Sequence, residues 1–290
     1  MMRVRLLGLA AAGMAAAGMA VVVGATPASA DSGKFNPPKQ YYLSLGDSLA
    51  FGYQQDKFAA EFFSGTYSPS DFPGYTYAFG DLMRAVDPRL TVVDYGCPAE
   101  TTISFTTACD YQESGVQLHD GYPGRSQESA ALGFLRAHPG QVSPITISLG
   151  GNDFLALGSS LADIQARLTR ILGELRAAAP DAEIIVLQSY NPLTFFAQHP
   201  IPDAAFSALN AVIGAAAASA GARTADVFAV FNNPNPPPPA TELTNICMWT
   251  LICTPSPSGV PDGHATDSGY KKMADIFWEA SGYSRLTPGD

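Results

Sequence analysis

Five short runs rich in β-branched and aromatic residues alternate with longer stretches of helical period, and no other feature constrains the fold of this chain as much. The runs are Tyr41–Leu45, Leu90–Tyr95, Pro144–Leu149, Glu183–Leu187 and Arg223–Phe228. Apolar residues recur at helical spacing over 74–86, 126–136, 160–178, 203–221 and 266–282; in the third of these, Ile164, Leu168, Ile171 and Leu175 fall on one face. Strands alternating with helices predict an α/β fold of three layers, with a mainly parallel five-stranded sheet covered by helices on both faces. Residues 54–73 and 97–125 read as loops. The proline-rich segment 232–262 reads as a covering stretch rather than core.

In such a sheet, function sits at the carboxyl ends of the strands. Three of those ends carry unusual residues here: Gly46-Asp47-Ser48 after the first run, Gly96 after the second, and Gly150-Gly151-Asn152-Asp153 after the third. Taken singly each is an ordinary turn, and Ser48 alone would be a helix cap. Acyl transfer, however, needs a nucleophile, a base to take its proton and N–H donors where charge develops on the carbonyl oxygen. Ser48 supplies a hydroxyl, and the backbone N–H of Ser48, the backbone N–H of Gly96 and the Asn152 amide supply donors. A glycine at position 96 would leave room for the substrate carbonyl. Of the four histidines, His119 and His199 lie in loop segments and His138 in a turn after a helix. His264 sits in Pro261-Asp262-Gly263-His264-Ala265-Thr266, just before the last helix, with an acid two residues ahead of it.

Gly46-Asp47-Ser48-Leu49, Gly96-Cys97-Pro98-Ala99-Glu100-Thr101-Thr102, Gly151-Asn152-Asp153 and the C-terminal Asp/His segment resemble, in order, the blocks of the GDSL, or SGNH, hydrolases. The resemblance spans the chain from residue 31 onward. It implies a flavodoxin-like sandwich and ester hydrolysis through an acyl-enzyme without cofactor or metal. Ser48 would be the nucleophile, His264 the base, and Ser48, Gly96 and Asn152 the oxyanion hole; Asp47 and Asp153 would be structural. One departure stands out. The family places its acid three residues before the histidine, where this chain has Pro261. Asp262, a backbone carbonyl such as that of Pro261, and Asp267 are the alternatives for orienting His264.

Residues 1–30 read as a signal peptide. Arg3 and Arg5 precede an apolar run to about Ala25, and Ala28-Ser29-Ala30 is a small-x-small cleavage signature, so residues 31–290 are expected to form a single exported domain. An uncleaved anchor is the rival reading. Losing two arginines would take the net charge from −10 to −12. Such a surface disfavours nucleic acid and anionic membranes. The resemblance implies a small-molecule or lipid ester as substrate, and a monomer is expected. The four cysteines allow three pairings; proximity favours Cys97–Cys109 and Cys247–Cys253, in keeping with an oxidising compartment. No Cys-x-x-Cys occurs and the histidines are scattered, which argues against a zinc site. The expected activity is that of a lipase or carboxylesterase. A polysaccharide O-deacetylase, with aromatics of 53–77 and 111–122 stacking sugar rings, is the enzymatic alternative, and a non-catalytic secreted binding protein is the alternative from another class.

Overall fold

The computed structural model describes residues 35–194, 201–233 and 239–287. The signal-peptide segment and most of the proline run Pro236–Pro239 lie outside the described residues. The elements follow in chain order: β1 (Tyr41–Gly46), α1 (Ser48–Phe51), α2 (Gln55–Ser64), α3 (Gly74–Arg84), β2 (Thr91–Asp94), α4 (Asp110–Glu113), α5 (Gln127–Ala137), β3 (Val142–Ser148), α6 (Gly151–Leu155), α7 (Leu161–Ala178), β4 (Ile184–Gln188), α8 (Asp203–Ser219), β5 (Arg223–Asp226), α9 (Val227–Phe231), α10 (Pro239–Trp249) and α11 (Asp267–Ser281).

All strand pairs are parallel and the sheet order is β2-β1-β3-β4-β5. This is the flavodoxin-like doubly wound order, with its switch point between β1 and β3. Strand alternation divides the side chains between two layers. Leu43, Leu45, Ile145, Ile147, Ile184 and Val186 pack with α5, α7 and α8 on one face. Tyr42, Val92, Ile185 and Leu187 pack with α3, α9, α10 and α11 on the other. Strands buried on both faces read as continuous apolar runs, which is why they are visible in the sequence.

Four segments differ from their sequence reading. The fifth run is strand only as far as Asp226, with Val227 and Phe228 opening α9, and residues 97–125 contain the single turn α4. Residues 55–64, read as loop, form α2; Phe58 is its one buried residue, and Gly65 closes it in the left-handed conformation. Phe58 joins Phe51, Tyr53, Phe72, Cys97, Cys109 and Tyr122 in a third apolar cluster, and Phe62 stacks on it. Half of the aromatics that would have stacked sugar rings are turned inward: Tyr53, Phe58, Phe72, Tyr75 and Tyr122 are buried. The segment 232–262 is not merely a cover either. It contains α10, whose Ile246 is buried in the second core layer. Among the described residues, no helix is long and apolar enough to cross a membrane.

Candidate active site

Ser48 opens α1 directly after β1, and the turn is fixed from three sides. Gly46 adopts φ +124°, and a Cβ there would collide with the Ser148 carbonyl of the neighbouring strand, so only glycine lets the chain turn this close to β3. Asp47 caps α1 through the Leu49 N–H (3.0 Å) and accepts from the Ser148 hydroxyl (2.9 Å). Burial lifts the Asp47 carboxyl to about 6, against the pull of those hydrogen bonds and of His264. Gln127, buried at the start of α5, clamps the end of β1: its Oε1 accepts from the Gly46 N–H (2.6 Å) and its Nε2 donates to the Gly46 carbonyl (3.0 Å).

His264 comes to this serine from 216 residues away, its Nε2 lying 2.9 Å from Ser48 Oγ. Its Nδ1 lies 2.6 Å from Asp262 Oδ1. Since Nε2 faces a hydroxyl and Nδ1 a carboxylate, the fitting tautomer carries its proton on Nδ1 and donates it to Asp262. The two-residue spacing works because Asp262 Oδ1 also accepts the backbone N–H of His264 (3.0 Å), an Asx turn that folds the acid back under the ring. Asp262 Oδ2 accepts the Gln55 N–H (2.7 Å). Burial raises the Asp262 carboxyl, but the hydrogen bonds and charge of His264 and the Gln55 N–H outweigh it and hold it below the usual range. Asp267 bonds to Gln54 Nε2 (2.9 Å), away from the ring. The other described histidines are structural: His119 Nε2 lies between the Phe51 and Phe72 carbonyls, and His138 Nδ1 lies 3.0 Å from the Phe134 carbonyl of its own helix.

One of the expected donors is engaged within the protein. The Gly96 N–H is committed to Asp94 Oδ1 (2.8 Å). The position requires glycine because a Cβ would come within 2.6 Å of the Phe51 nitrogen, a packing demand from α1 rather than from substrate. Three residues on, exposed Ala99 is held at φ +64°, and its N–H makes no hydrogen bond among the described residues. An alanine carries no sequence mark of that conformation, so sequence reasoning missed it. The Ser48 N–H is likewise without an acceptor among the described residues, as first-turn amides are. Asn152 Nδ2 donates to the Glu100 carbonyl (2.9 Å), which aligns the amide beside this loop and leaves its second proton available. Asp153 accepts from the Thr102 N–H (2.8 Å), the Thr102 hydroxyl and Arg167, tying the β2 and β3 loops together.

Glu100 joins these parts. Its side chain is buried, Oε2 accepts from Gln127 Nε2 (3.0 Å), and Oε1 has no partner among the described residues. Burial pushes its carboxyl up to about 8. Cys97, Glu100 and Cys109 lie close enough to share an ion, but both sulfurs are spent in a disulfide. The second disulfide joins Cys247 and Cys253.

A cleft of about 180 Å³ opens on Ser48, Asn152, Gly263 and His264, with Leu49, Leu155, Tyr190, Pro192 and Phe206 supplying apolar walls. A larger groove of about 510 Å³ runs between α3 and α11 past Tyr77 and Lys271, but it contains neither Ser48 nor His264. The chemistry therefore belongs to the smaller cleft.

A serine, a histidine and a carboxylate in line within such a cleft, at the strand ends of a parallel α/β sandwich, are the parts of a serine hydrolase. More closely, residues 44–272 match the model of the GDSL-like lipase/acylhydrolase family, and the chain belongs to that family. Solved structures share its fold. A putative GDSL-like lipase from Parabacteroides merdae aligns at TM-score 0.57 and 17% identity over 86% of this chain and 99% of its own. A lipase from a goat rumen metagenome aligns at 0.53 and 17% over 85% and 99%. An acetyl xylan esterase from Geobacillus stearothermophilus aligns at 0.52 and 16% over 86% and 98%. No curated protein matched the sequence.

Proposed function

We propose that this chain is an exported serine ester hydrolase of lipase or carboxylesterase type that works through an acyl-enzyme on Ser48. The observation that carries the reading is the continuous relay Ser48 Oγ–His264 Nε2, His264 Nδ1–Asp262 Oδ1, at 2.9 and 2.6 Å. Ser48 Oγ attacks the ester carbonyl carbon while His264 Nε2 takes the hydroxyl proton, and Asp262 stabilises the imidazolium that forms. The oxyanion is received by the Ser48 N–H and the free proton of Asn152 Nδ2. In place of Gly96, whose N–H is occupied, the third donor is the Ala99 N–H. Each such donor is worth roughly 10²–10³ in kcat. Collapse of the tetrahedral intermediate passes the proton from His264 to the leaving alcohol; water then repeats the sequence on the acyl-enzyme.

The apolar walls and the cleft volume of about 180 Å³ support a short acyl group. Export rests on the Arg3/Arg5-led apolar run, the Ala28-Ser29-Ala30 signature and the use of all four cysteines in disulfides. In the test, Ser48→Ala abolishes turnover of p-nitrophenyl acetate and butyrate without changing the thermal midpoint by more than a few degrees. A fluorophosphonate probe labels the unmutated protein at Ser48. Turnover retained by the alanine variant overturns the proposal.

A further inference from the structure

Position of the imidazole depends on a segment that does no chemistry. The last turn of α10 and the short turn Leu251–Cys253 are closed into a ring by Cys247–Cys253, only six residues apart. The rim of that ring forms an antiparallel bridge, Thr250 with Ala265, to the segment that carries His264. The Leu251 N–H donates to the His264 carbonyl (2.9 Å), and the Thr266 N–H donates to the Trp249 carbonyl (3.0 Å). The Thr266 hydroxyl adds a bond to the Met248 carbonyl (3.2 Å). The Trp249 carbonyl also presses so closely on Gly269 in α11 that a Cβ there would collide with it. The backbone from the His264 carbonyl to Thr266, on the C-terminal side of the imidazole, is therefore fastened to residues inside the ring. Elsewhere, the Gly263 and Ala265 carbonyls are held only by side chains, Tyr190 Oη (2.7 Å) and Gln54 Nε2 (3.2 Å).

We infer that the Cys247–Cys253 disulfide is a positioning element for His264. By fixing the shape of residues 248–252 it holds the Nε2 of His264 in line with Ser48 Oγ. This rests on the role given to His264 above. A ring this short removes little chain entropy from the unfolded state compared with a long one, so its main contribution is local shape. The other disulfide offers a contrast in the same molecule. Cys97 and Cys109 are each 1% exposed and sit in the third apolar cluster, whereas Cys253 is exposed and Cys247 half-buried.

The test treats the folded protein with a dithiol reductant in the absence of denaturant. The reductant gives up two electrons and closes to its own cyclic disulfide, while the Sγ atoms of Cys247 and Cys253 take up the two protons. Released thiols are counted by mass after alkylation, and kcat and KM for p-nitrophenyl butyrate are followed together with near-ultraviolet circular dichroism. Loss of about 10–100-fold in kcat with KM within about twofold is expected as two thiols appear at 247 and 253, with the tertiary signal kept and activity restored by reoxidation. The Cys247→Ser/Cys253→Ser variant should show the same split and the same loss in the rate of fluorophosphonate labelling, and should not respond further to reductant. Full kcat with both thiols released overturns the inference. So does a tertiary signal that collapses in step with activity, which would make the bond a global staple. Inactivity of the untreated protein would instead defeat the assignment of Ser48 and His264 itself.

Discussion

Glu100 gives the sharpest quantitative test of how the site is held together. Its carboxyl is buried behind the Ser48 turn, with one oxygen bonded to Gln127 and the other unpartnered among the described residues. Burial raises it from 4.5 to about 8, Asp47 and Asp110 add to the rise, and Ser104 and Gln127 pull the other way. A group whose folded pKa is raised stabilises the fold fully only below its unfolded value and loses that contribution as pH rises through the folded value. Between about pH 4.5 and pH 8, unfolding releases a proton that the folded protein still holds. At 1.36 kcal/mol per unit the accumulated cost is about 4–5 kcal/mol by pH 8. Glu100→Gln keeps an acceptor for Gln127 and cannot ionise. The difference in unfolding free energy between variant and parent, from urea titrations at pH 4.5, 6 and 8.5, should therefore climb with pH in favour of the variant by several kcal/mol. Asp47 and Asp94, each raised to about 6 chiefly by burial, titrate in the same direction but are common to both proteins and cancel. A difference that is flat across this range, or that moves in favour of the parent, would refute the reasoning.

The remaining tests concern roles that the geometry separates. Asp262→Asn should lower kcat for p-nitrophenyl butyrate by about 10³–10⁴-fold with KM little changed. Asp267→Asn, which removes the charge but keeps an oxygen that can accept from Gln54, should stay within a few-fold in the same steady-state assay. Gly96→Ala should destabilise the fold by about 1–3 kcal/mol through its clash with α1, seen as a drop in the thermal midpoint. Ala99→Gly, which relieves the left-handed backbone, should raise the midpoint by an amount worth about 1 kcal/mol and leave turnover in place.

How much of this could be read from the sequence depends on which force fixes each part. The parallel sheet was legible because strands buried on both faces show as unbroken apolar runs. Ser48, Asn152 and His264 were legible because they lie in ordered motifs at element boundaries. Gly96 was conspicuous as a glycine at a strand end, but its packing against α1 and the bond from its N–H to Asp94 could be seen only in the structure. Ala99 was invisible because a positive φ at an alanine is imposed by the surrounding loop. Asp262 could be named but not placed, since the Asx turn that brings it under the ring is a property of three-dimensional closure. Gln127 gave no signal at all. A glutamine at the start of a helix is ordinary until the end of β1 is found between its two amide atoms.

The contact between Ser48 and His264 joins residues 216 positions apart, and α11 follows the histidine at once. Closing a contact of such separation costs loop entropy that the intervening core must offset. The α11 segment is built into that core, with Tyr270, Met273 and Phe277 buried in the second layer. Ester turnover is thus a readout of whether the C-terminal segment is docked on the sheet. It should be lost in step with the tertiary signal on denaturation and should return only when the two distant parts of the site have been brought together.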